Sequence, residues 1–198
     1  TVEDVLDGPV VADPFRLMDC CPFSDGASAV VVTNDELGDS FGDPVDVTGV
    51  GHGVDAVPLA DKEHLPETRA ARDAAEKAYA DAGVTPGDID FAEVHDCFTG
   101  AEVMATEALG LFEDGEGGPA AAEGRSKLGG ETPVNPSGGL KAKGHPIGAT
   151  GTAQITELTE QIRSEAGDRQ VENARTGVAH NLGGDSGTTV VSVMEERE

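Results

Sequence analysis

The chain has 198 residues, enough to bury the core of one large domain or of one domain with part of another. Its 38 acidic and 13 basic residues give a formal net charge of −25, and a field of that sign repels the phosphates of DNA, RNA and anionic lipids. We therefore expect neither a nucleic-acid partner nor a membrane partner.

The N-terminal part of the chain is predicted to hold little regular structure before a single strand. Prolines interrupt residues 1–21. The apolar run at 27–33 predicts a buried strand, and the acidic, glycine-containing stretch at 34–44 predicts a domain boundary. We therefore place one unit at residues 1–43 and a second at residues 44–198.

The second unit alternates predicted strands with predicted helices. Residues 45–53 alternate as a strand with a glycine exit, and closely spaced alanines predict a helix over 68–82 that ends at Gly83. The further predictions are a strand at 90–94, a helix at 99–109, a loop at 113–131, a helix at 147–163 and strands at 177–179 and 188–193. This alternation predicts an α/β fold.

The most unusual segment is residues 134–151, Val-Asn-Pro-Ser-Gly-Gly-Leu-Lys-Ala-Lys-Gly-His-Pro-Ile-Gly-Ala-Thr-Gly. Its five glycines permit positive φ and close approach of other groups, and Pro146 restricts the turn after His145. Such a loop predicts a site that presents the His145 imidazole.

Two further runs bring polar residues to the ends of apolar strand patterns. One is Phe-Ala-Glu-Val-His-Asp-Cys-Phe at 91–98, and the other is Val-Ala-His-Asn-Leu-Gly-Gly-Asp-Ser-Gly at 178–187. With residues 134–151, in this order, they resemble the C-terminal half of a thiolase. The resemblance is to the sterol-carrier-protein-2-type branch, which is widespread in archaea, and it covers nearly the whole chain. Residues 17–29 resemble the segment that leads into the last strand of the thiolase N-terminal domain.

The resemblance implies a fold and also a missing group. Thiolases stack two similar domains into α/β/α/β/α layers, so residues 1–43 are expected to end the N-terminal domain and 44–198 to form the C-terminal domain. Their nucleophile is a cysteine in the first half of the polypeptide. Cys20, Cys21 and Cys97 lack its setting, so we expect the nucleophile from another segment or subunit.

The chemistry of a thiolase, Claisen condensation of acyl thioesters or its thiolytic reverse, requires a thiolate, a base for the α-proton and donors for the thioester oxygens. By resemblance, His145 activates the nucleophile and contributes to an oxyanion hole. His95 stands where most thiolases carry an asparagine that orients a water in the first oxyanion hole. Gly183 matches the glycine whose backbone N–H helps to form the second.

Cys97 is the predicted acid/base residue. Many thiolases carry that cysteine in a Cys-x-Gly motif, but the matching run here is Asn181-Leu182-Gly183, and an asparagine cannot transfer a proton. The resemblance moves the role to the cysteine of His-Asp-Cys-Phe. An adjacent imidazole and a helix N-terminus are expected to tune its thiol toward neutrality. The alternative is a buried, inert cysteine.

The predicted substrate-binding residues are Asn135, Gly144 and Asn181. A purely structural role is the alternative for Asn181, and it is our interpretation of His180. Asp96 is predicted to cap the helix that starts near residue 99.

Lys141 and Lys143 either face the phosphates of coenzyme A or are solvated loop lysines. The histidines and cysteines lack zinc-ligand spacing, so no metal site is expected. No cofactor is expected either, since coenzyme A thioesters are substrates.

Two functions remain open: the C-terminal half of a catalytic thiolase, or a non-catalytic thiolase-like domain that binds acyl-CoA or serves as a scaffold. The implied partners are acyl-CoA or CoA, the N-terminal thiolase half or subunit, further copies in a homo- or hetero-oligomer, a DUF35-type OB-fold protein and hydroxymethylglutaryl-CoA (HMG-CoA) synthase.

The dispersed acidic residues indicate a halophile's protein, because molar salt screens self-repulsion; a generally acidic mesophilic enzyme is the alternative. Three cysteines form no disulfide framework, and no signal or membrane-spanning run is present in the sequence. We therefore expect a cytoplasmic protein.

Overall fold

The structure, a computed structural model, describes residues 1–38, 40, 42–63 and 68–197. The α-helices are α1 (Val2–Leu6), α2 (Asp35–Gly38), α3 (Arg69–Ala82), α4 (Thr99–Ala108), α5 (Gly117–Glu123), α6 (Gly139–Lys143) and α7 (Thr150–Ile162). The strands are β1 (Val10–Ala12), β2 (Phe15–Arg16), β3 (Val45–Val54), β4 (Phe91–Val94), β5 (Thr176–Gly183) and β6 (Thr188–Glu196). Across the described residues, no helix has both the length and the apolar character needed to cross a bilayer.

The main sheet has four strands in the order β3-β6-β5-β4. β4 pairs with β5 in parallel, and the other two pairings are antiparallel. The parallel register places Val94 opposite His180, so His95, which follows β4, lies beside the last three residues of β5. In α/β proteins, ligands bind beyond the carboxyl ends of parallel strands.

The packing of α3 on β3 depends on matched small residues. A Cβ atom added at Gly51 would lie 1.8 Å from the Ala74 carbonyl oxygen, and one at Gly53 would lie 1.9 Å from the Ala70 carbonyl oxygen. Two residues of a strand and four of a helix both advance by about 6 Å, so glycines at every second position meet alanines at every fourth. These glycines belong to β3, so the predicted glycine exit from the strand is wrong.

Helices cover both faces of the main sheet. One apolar cluster joins the sheet to α3 and α4, with Val94, Leu109 and Val193 among its members. A second joins the opposite face to α7 through Phe91 and Leu158. The predicted α/β class is confirmed, and the sheet with its two helical layers is consistent with a thiolase-like fold.

The predicted buried strand at 27–33 is not formed. No strand is assigned there among the described residues, and the side chains of Val31 and Val32 are 87% and 81% exposed. An apolar β-branched run forms a strand only where a neighbouring backbone pairs with it. The division at residue 43 remains a prediction.

Four short elements form where irregular structure or a loop was expected. A capped turn forms α1, and β1 and β2 form a two-stranded hairpin in the region predicted to be irregular. The predicted loop at 113–131 contains α5, whose Ala120 is fully buried. Burial of these alanine-rich residues against α4 stabilises a helix that composition alone did not indicate.

Candidate active site

The two motif histidines meet at the carboxyl ends of the parallel strands. The ring centroids of His95 and His145 lie 4.9 Å apart, with the rings at 89°. Both side chains are buried, and the ring of Phe23 stacks on that of His145 with the ring centroids 6.0 Å apart. Residues far apart in the sequence therefore share one site. The sequence analysis expected this, because it assigned the His95 and His145 motifs to one catalytic centre.

The N-terminal segment connects the two motifs. Cys21 N–H donates to the carbonyl oxygen of Cys97 at 3.0 Å, and His145 N–H donates to the carbonyl oxygen of Pro22 at 3.1 Å. Ser24 N–H then donates to the carbonyl oxygen of His145. Residues 20–24 thus lie across the site and hold both histidine-bearing loops by main-chain hydrogen bonds.

A hydroxyl group fixes the tautomer of His145. Thr150 Oγ1 donates to the carbonyl oxygen of Pro146 at 3.2 Å, and its other contact is with His145 Nδ1 at 2.7 Å. Because the hydroxyl proton is used on Pro146, the network assigns the ring proton to Nδ1, which leaves a lone pair on Nε2. Burial lowers the pKa of His145, so the ring is neutral and able to accept a proton at Nε2.

His95 is held as a neutral imidazole beside it. Burial, and secondarily the neighbouring His145, lowers the pKa of His95 to about 4, although a hydrogen bond with the Asn181 side chain opposes the shift. The parallel register accounts for that contact, since these two residues follow the paired Val94 and His180. A neutral His95 has one N–H group to donate and carries no charge to repel a second proton at His145.

Cys97 lies two residues beyond His95, with its side chain half-buried. Burial first, and then the nearby Cys21 and Asp96, raises the pKa of the thiol to about 11. The sequence argument for a thiol tuned toward neutrality is therefore wrong, because the surroundings of Cys97 desolvate a thiolate more than they stabilise it. At neutral pH Cys97 is a proton donor.

The prediction that Asp96 caps α4 is wrong. Its carboxylate accepts the main-chain N–H of Leu140 at 2.8 Å and that of Lys141, at the first turn of α6. α4 begins after Phe98 without a side-chain cap. The N–H groups in the first turn of a helix have no partner within that helix, and at α6 this carboxylate supplies one. Asp96 thus joins the two histidine motifs.

The side chain of Asn135 is engaged within the protein. Its Oδ1 accepts the N–H of Val94 at 2.8 Å and its Nδ2 donates to Glu102 Oε2 at 2.9 Å, while the backbone adopts φ of +51°. These bonds extend the edge of β4 into the glycine-rich loop. Its predicted role in substrate binding stays a prediction, with this structural role now visible beside it.

The two predicted loop lysines have other partners. Lys143 Nζ lies 3.2 Å from Glu93 Oε2 and 2.8 Å from Ser137 Oγ, and Lys141 Nζ donates to the carbonyl oxygen of Cys20. Both lysines therefore have partners within the protein, and their predicted contact with the phosphates of coenzyme A stays a prediction. A sequence signal existed for Glu93, since a charged residue inside a buried strand pattern requires a partner. Thr150 had no comparable signal.

The remaining predicted positions also lie at this edge. Gly144 has φ of +83°, and a Cβ atom there would lie 2.3 Å from Ser24 Oγ, so only glycine fits. Gly183 ends β5, and a Cβ atom on it would approach Thr188 at 3.3 Å. His180 is buried with no hydrogen-bond partner for either ring nitrogen among the described residues. Within the same residues, no cluster of three His, Cys, Asp or Glu side chains is arranged to hold a metal ion.

Comparison with known proteins agrees with this geometry. Residues 51–196 match the family described as thiolase C-terminal domain-like. The chain is 47% identical over 195 residues to an acetyl-CoA acetyltransferase of Methanothermobacter thermautotrophicus, covering 98% of this chain and 51% of that protein. It is 38% identical over 189 residues to sterol carrier protein 2 of Homo sapiens, covering 92% of this chain and 35% of that protein.

A solved structure shows the same fold. The chain superposes on the structure of an "Ltp2-ChsH2(DUF35) aldolase" with a TM-score of 0.87 and 22% identity, covering all of this chain and 52% of that one. The chain spans about half the length of the archaeal acetyl-CoA acetyltransferases it matches. On the match of residues 51–196, the chain belongs to the thiolase C-terminal domain family.

Proposed function

We propose that this chain is the acid/base and oxyanion-binding half of a thiolase, which catalyses Claisen condensation or thiolysis of acyl-CoA with a cysteine nucleophile from another segment or subunit. The observation that carries the proposal is the contact of two neutral imidazoles, His95 and His145, at the carboxyl ends of β4 and β5, with Cys97 two residues beyond. The acetyl-CoA acetyltransferase names of the relatives support the same reaction class.

In this proposal His145 accepts the proton of the nucleophilic thiol at Nε2, because Thr150 holds the other ring nitrogen. His95 donates a hydrogen bond toward the thioester oxygen once its N–H leaves Asn181, and the backbone N–H of Gly183 serves the second oxyanion. Cys97 begins as a thiol. Its raised pKa therefore suits the thiolytic direction, in which it protonates the carbanion that leaves as acetyl-CoA.

The direct test combines this chain with a cysteine-bearing thiolase half and measures thiolysis of acetoacetyl-CoA. We expect Cys97→Ala to reduce turnover by about 10²- to 10⁴-fold, the usual contribution of a positioned acid or base. Acylation of the nucleophile by acetyl-CoA needs no proton transfer at the α-carbon, so it should stay detectable by mass spectrometry. Cys20→Ala is the matched control and should leave turnover unchanged. Normal turnover in Cys97→Ala would refute the assignment.

The second candidate function is a non-catalytic acyl-CoA-binding or scaffold domain. The cysteines near the site favour this candidate. Cys20 and Cys21 belong to the segment whose main chain pairs with the Cys97 loop, and burial raises the pKa of Cys21. Cys21 is therefore not an activated nucleophile. If the reconstituted pair binds acetoacetyl-CoA but never acylates, this candidate replaces the first.

The expected assembly follows from the same proposal. A DUF35-type protein is a candidate partner, supported by the DUF35 component in the name of the superposed aldolase structure, and the N-terminal thiolase half is another. HMG-CoA synthase and self-association into oligomers remain predictions from the family. We also retain the cytoplasmic location and the halophilic, archaeal origin as proposals, supported by the net charge of −25 and the archaeal relatives.

A further inference from the structure

The parallel ladder between β4 and β5 ends just before His95 and Asn181, two polar residues of the site that contact each other. Val94, the last residue of β4, lies opposite His180. Among the described residues, no pair of this ladder follows them. The position of His95 relative to Asn181 therefore depends on groups outside the ladder.

The side chain of Gln154, on α7, joins the two strands where the ladder ends. Its Nε2 donates to the carbonyl oxygen of His180 at 3.0 Å and to that of Glu93 at 3.4 Å. One of these carbonyl groups belongs to each strand, so a single donor connects β4 with β5. Gln154 is 1% exposed, and its Oε1 has no hydrogen-bond partner within the described part of the chain. The donor is therefore the part of this side chain that is used.

The same face of α7 also shapes the contact between His95 and Asn181. Gly151 lies three residues before Gln154, and a Cβ atom on it would lie 2.5 Å from Asn181 Nδ2. Because Nδ2 lies against α7, Oδ1 is the Asn181 atom that remains for His95. No described residue bonds His95 Nδ1, so Nε2 makes this contact. The bond raises the pKa of His95, as expected where the ring is the donor.

We propose that Gln154 is a positioning residue for His95. Its donor reaches main-chain carbonyl groups and not the imidazole, so it acts on the ring through the backbone. His95 follows Glu93 by two residues, and a shift of the Glu93 carbonyl is passed on to the ring. The effect on turnover rests on the proposed function, in which the His95 N–H leaves Asn181 for the thioester oxygen.

The first measurement requires no catalysis. A buried imidazole N–H in a hydrogen bond exchanges slowly with water, and nitrogen-15 NMR of the purified chain should detect one at His95 Nε2 and one at His145 Nδ1. Asn181→Ala should remove the His95 signal and thereby assign it. Gln154→Met keeps most of the side-chain volume and removes the donor. We expect it to abolish the His95 signal and to leave that of His145 unchanged.

Gln154→Glu supplies a readout that a packing role would not change. The carboxyl group has nearly the shape of the amide, and burial beside two carbonyl oxygens favours its protonated form. When protonated it can donate to one of these oxygens, and when ionised it repels both. The His95 signal of this variant should therefore return as the pH falls from 8 to 6. If Gln154→Met fails to fold, this pH dependence carries the test alone.

Gln161→Met is the matched control. Gln161 is also a fully buried glutamine of α7, but its Nε2 donates to Glu157 and to the Arg169 carbonyl oxygen, at the other end of the helix. This variant should keep both NMR signals even if it is less stable.

The second measurement is thiolysis by the chain combined with a cysteine-bearing half. Gln154→Met should lower kcat by about 10- to 100-fold, because displacing a catalytic group by about 1 Å costs on the order of 100-fold. The KM for acetoacetyl-CoA should not change, since the His95 bond to the thioester oxygen strengthens in the transition state. Gln161→Met should leave kcat unchanged.

Four results would overturn the proposal. These are a His95 signal that persists in folded Gln154→Met, its loss in Gln161→Met as well, a signal in Gln154→Glu that does not vary with pH, and an unchanged kcat in Gln154→Met. The second would indicate a general loosening of α7. Failure of the proposed function is distinguishable, since it would abolish thiolysis in the native chain and in every variant while the NMR pattern stayed intact.

Discussion

The carboxylate of Asp96 accepts the main-chain N–H of Leu140 at 2.8 Å and thereby ties the His95 loop to α6, which leads into His145. A second carboxylate, Glu93, reaches the same loop through Ser137 and Lys143. The relative position of the two imidazoles is therefore set by acidic side chains next to the histidine motif, and these bonds can be tested one at a time.

Asp96→Ala should lower the free energy of unfolding by about 2 kcal/mol, because it leaves buried N–H groups at the start of α6 without this acceptor. Asp96→Asn keeps one acceptor oxygen and should lose less than half as much. Urea denaturation of the two variants checks this. Equal losses would show that the carboxylate has no specific role at α6.

Thr150→Val should remove the contact that keeps the ring proton of His145 on Nδ1, without moving the ring. The expected cost in thiolase turnover is about 10- to 100-fold, as for other groups that orient a functional imidazole. Nitrogen-15 NMR of the ring should show the Nε2–H form gaining population. Thr152→Val, on the same helix, is the control and should change neither the ring shifts nor turnover.

His180 should make stability depend on pH. Burial lowers its pKa to about 4 from an ordinary 6.5, so below pH 6.5 the unfolded chain binds a proton that the folded chain excludes. Stability then falls as pH drops from about 6.5 to 4, by about 3 kcal/mol for this group. The raised pKa of buried Glu93 acts in the opposite direction, so the comparison is made with His180→Gln, which should remove only the histidine contribution.

The stability of the native chain relative to His180→Gln should therefore fall by about 3 kcal/mol between pH 6.5 and pH 4 and be nearly constant above pH 7. Chemical denaturation at a series of pH values measures it. A difference that does not vary with pH would contradict the buried, neutral state of His180.

Gly51→Ala should prevent α3 from packing on β3. The new Cβ atom would lie 1.8 Å from the Ala74 carbonyl oxygen, a distance that only separation of the two elements relieves. We expect a loss of at least about 3 kcal/mol, which is in the range of severe overpacking. Gly87→Ala meets only a hydroxyl at 3.7 Å and should be nearly neutral in the same thermal unfolding assay.

High salt should stabilise the protein. With a net charge of −25, self-repulsion at 0.1 M KCl acts over about 10 Å, and it is screened to about 3 Å at 1 M. The melting temperature should therefore rise steeply over this range. A variant that combines Glu3→Gln, Asp7→Asn and Glu36→Gln, all at exposed positions, should show a shallower rise. An unchanged slope would indicate a general salt effect and not charge screening.

The sequence determined some of the local elements, α3 above all, and the family. Alanine spacing predicts α3 almost to the residue, with Gly83 ending it in the left-handed conformation, because helix propensity and capping act within a few residues. The segments around His95 and His145 were recognised as parts of one site, since motifs of such unusual composition identify a family before any geometry is known.

Only the tertiary structure decided how the site works. The exposure of Val31 and Val32, the pairing of Lys143 with Glu93 and the raised pKa of Cys97 all depend on groups distant in sequence. A strand needs a paired neighbour, a buried carboxylate needs a cation, and a thiol responds to the desolvation around it. Local pattern carries none of these interactions, because the chain acquires them only when separate segments pack together.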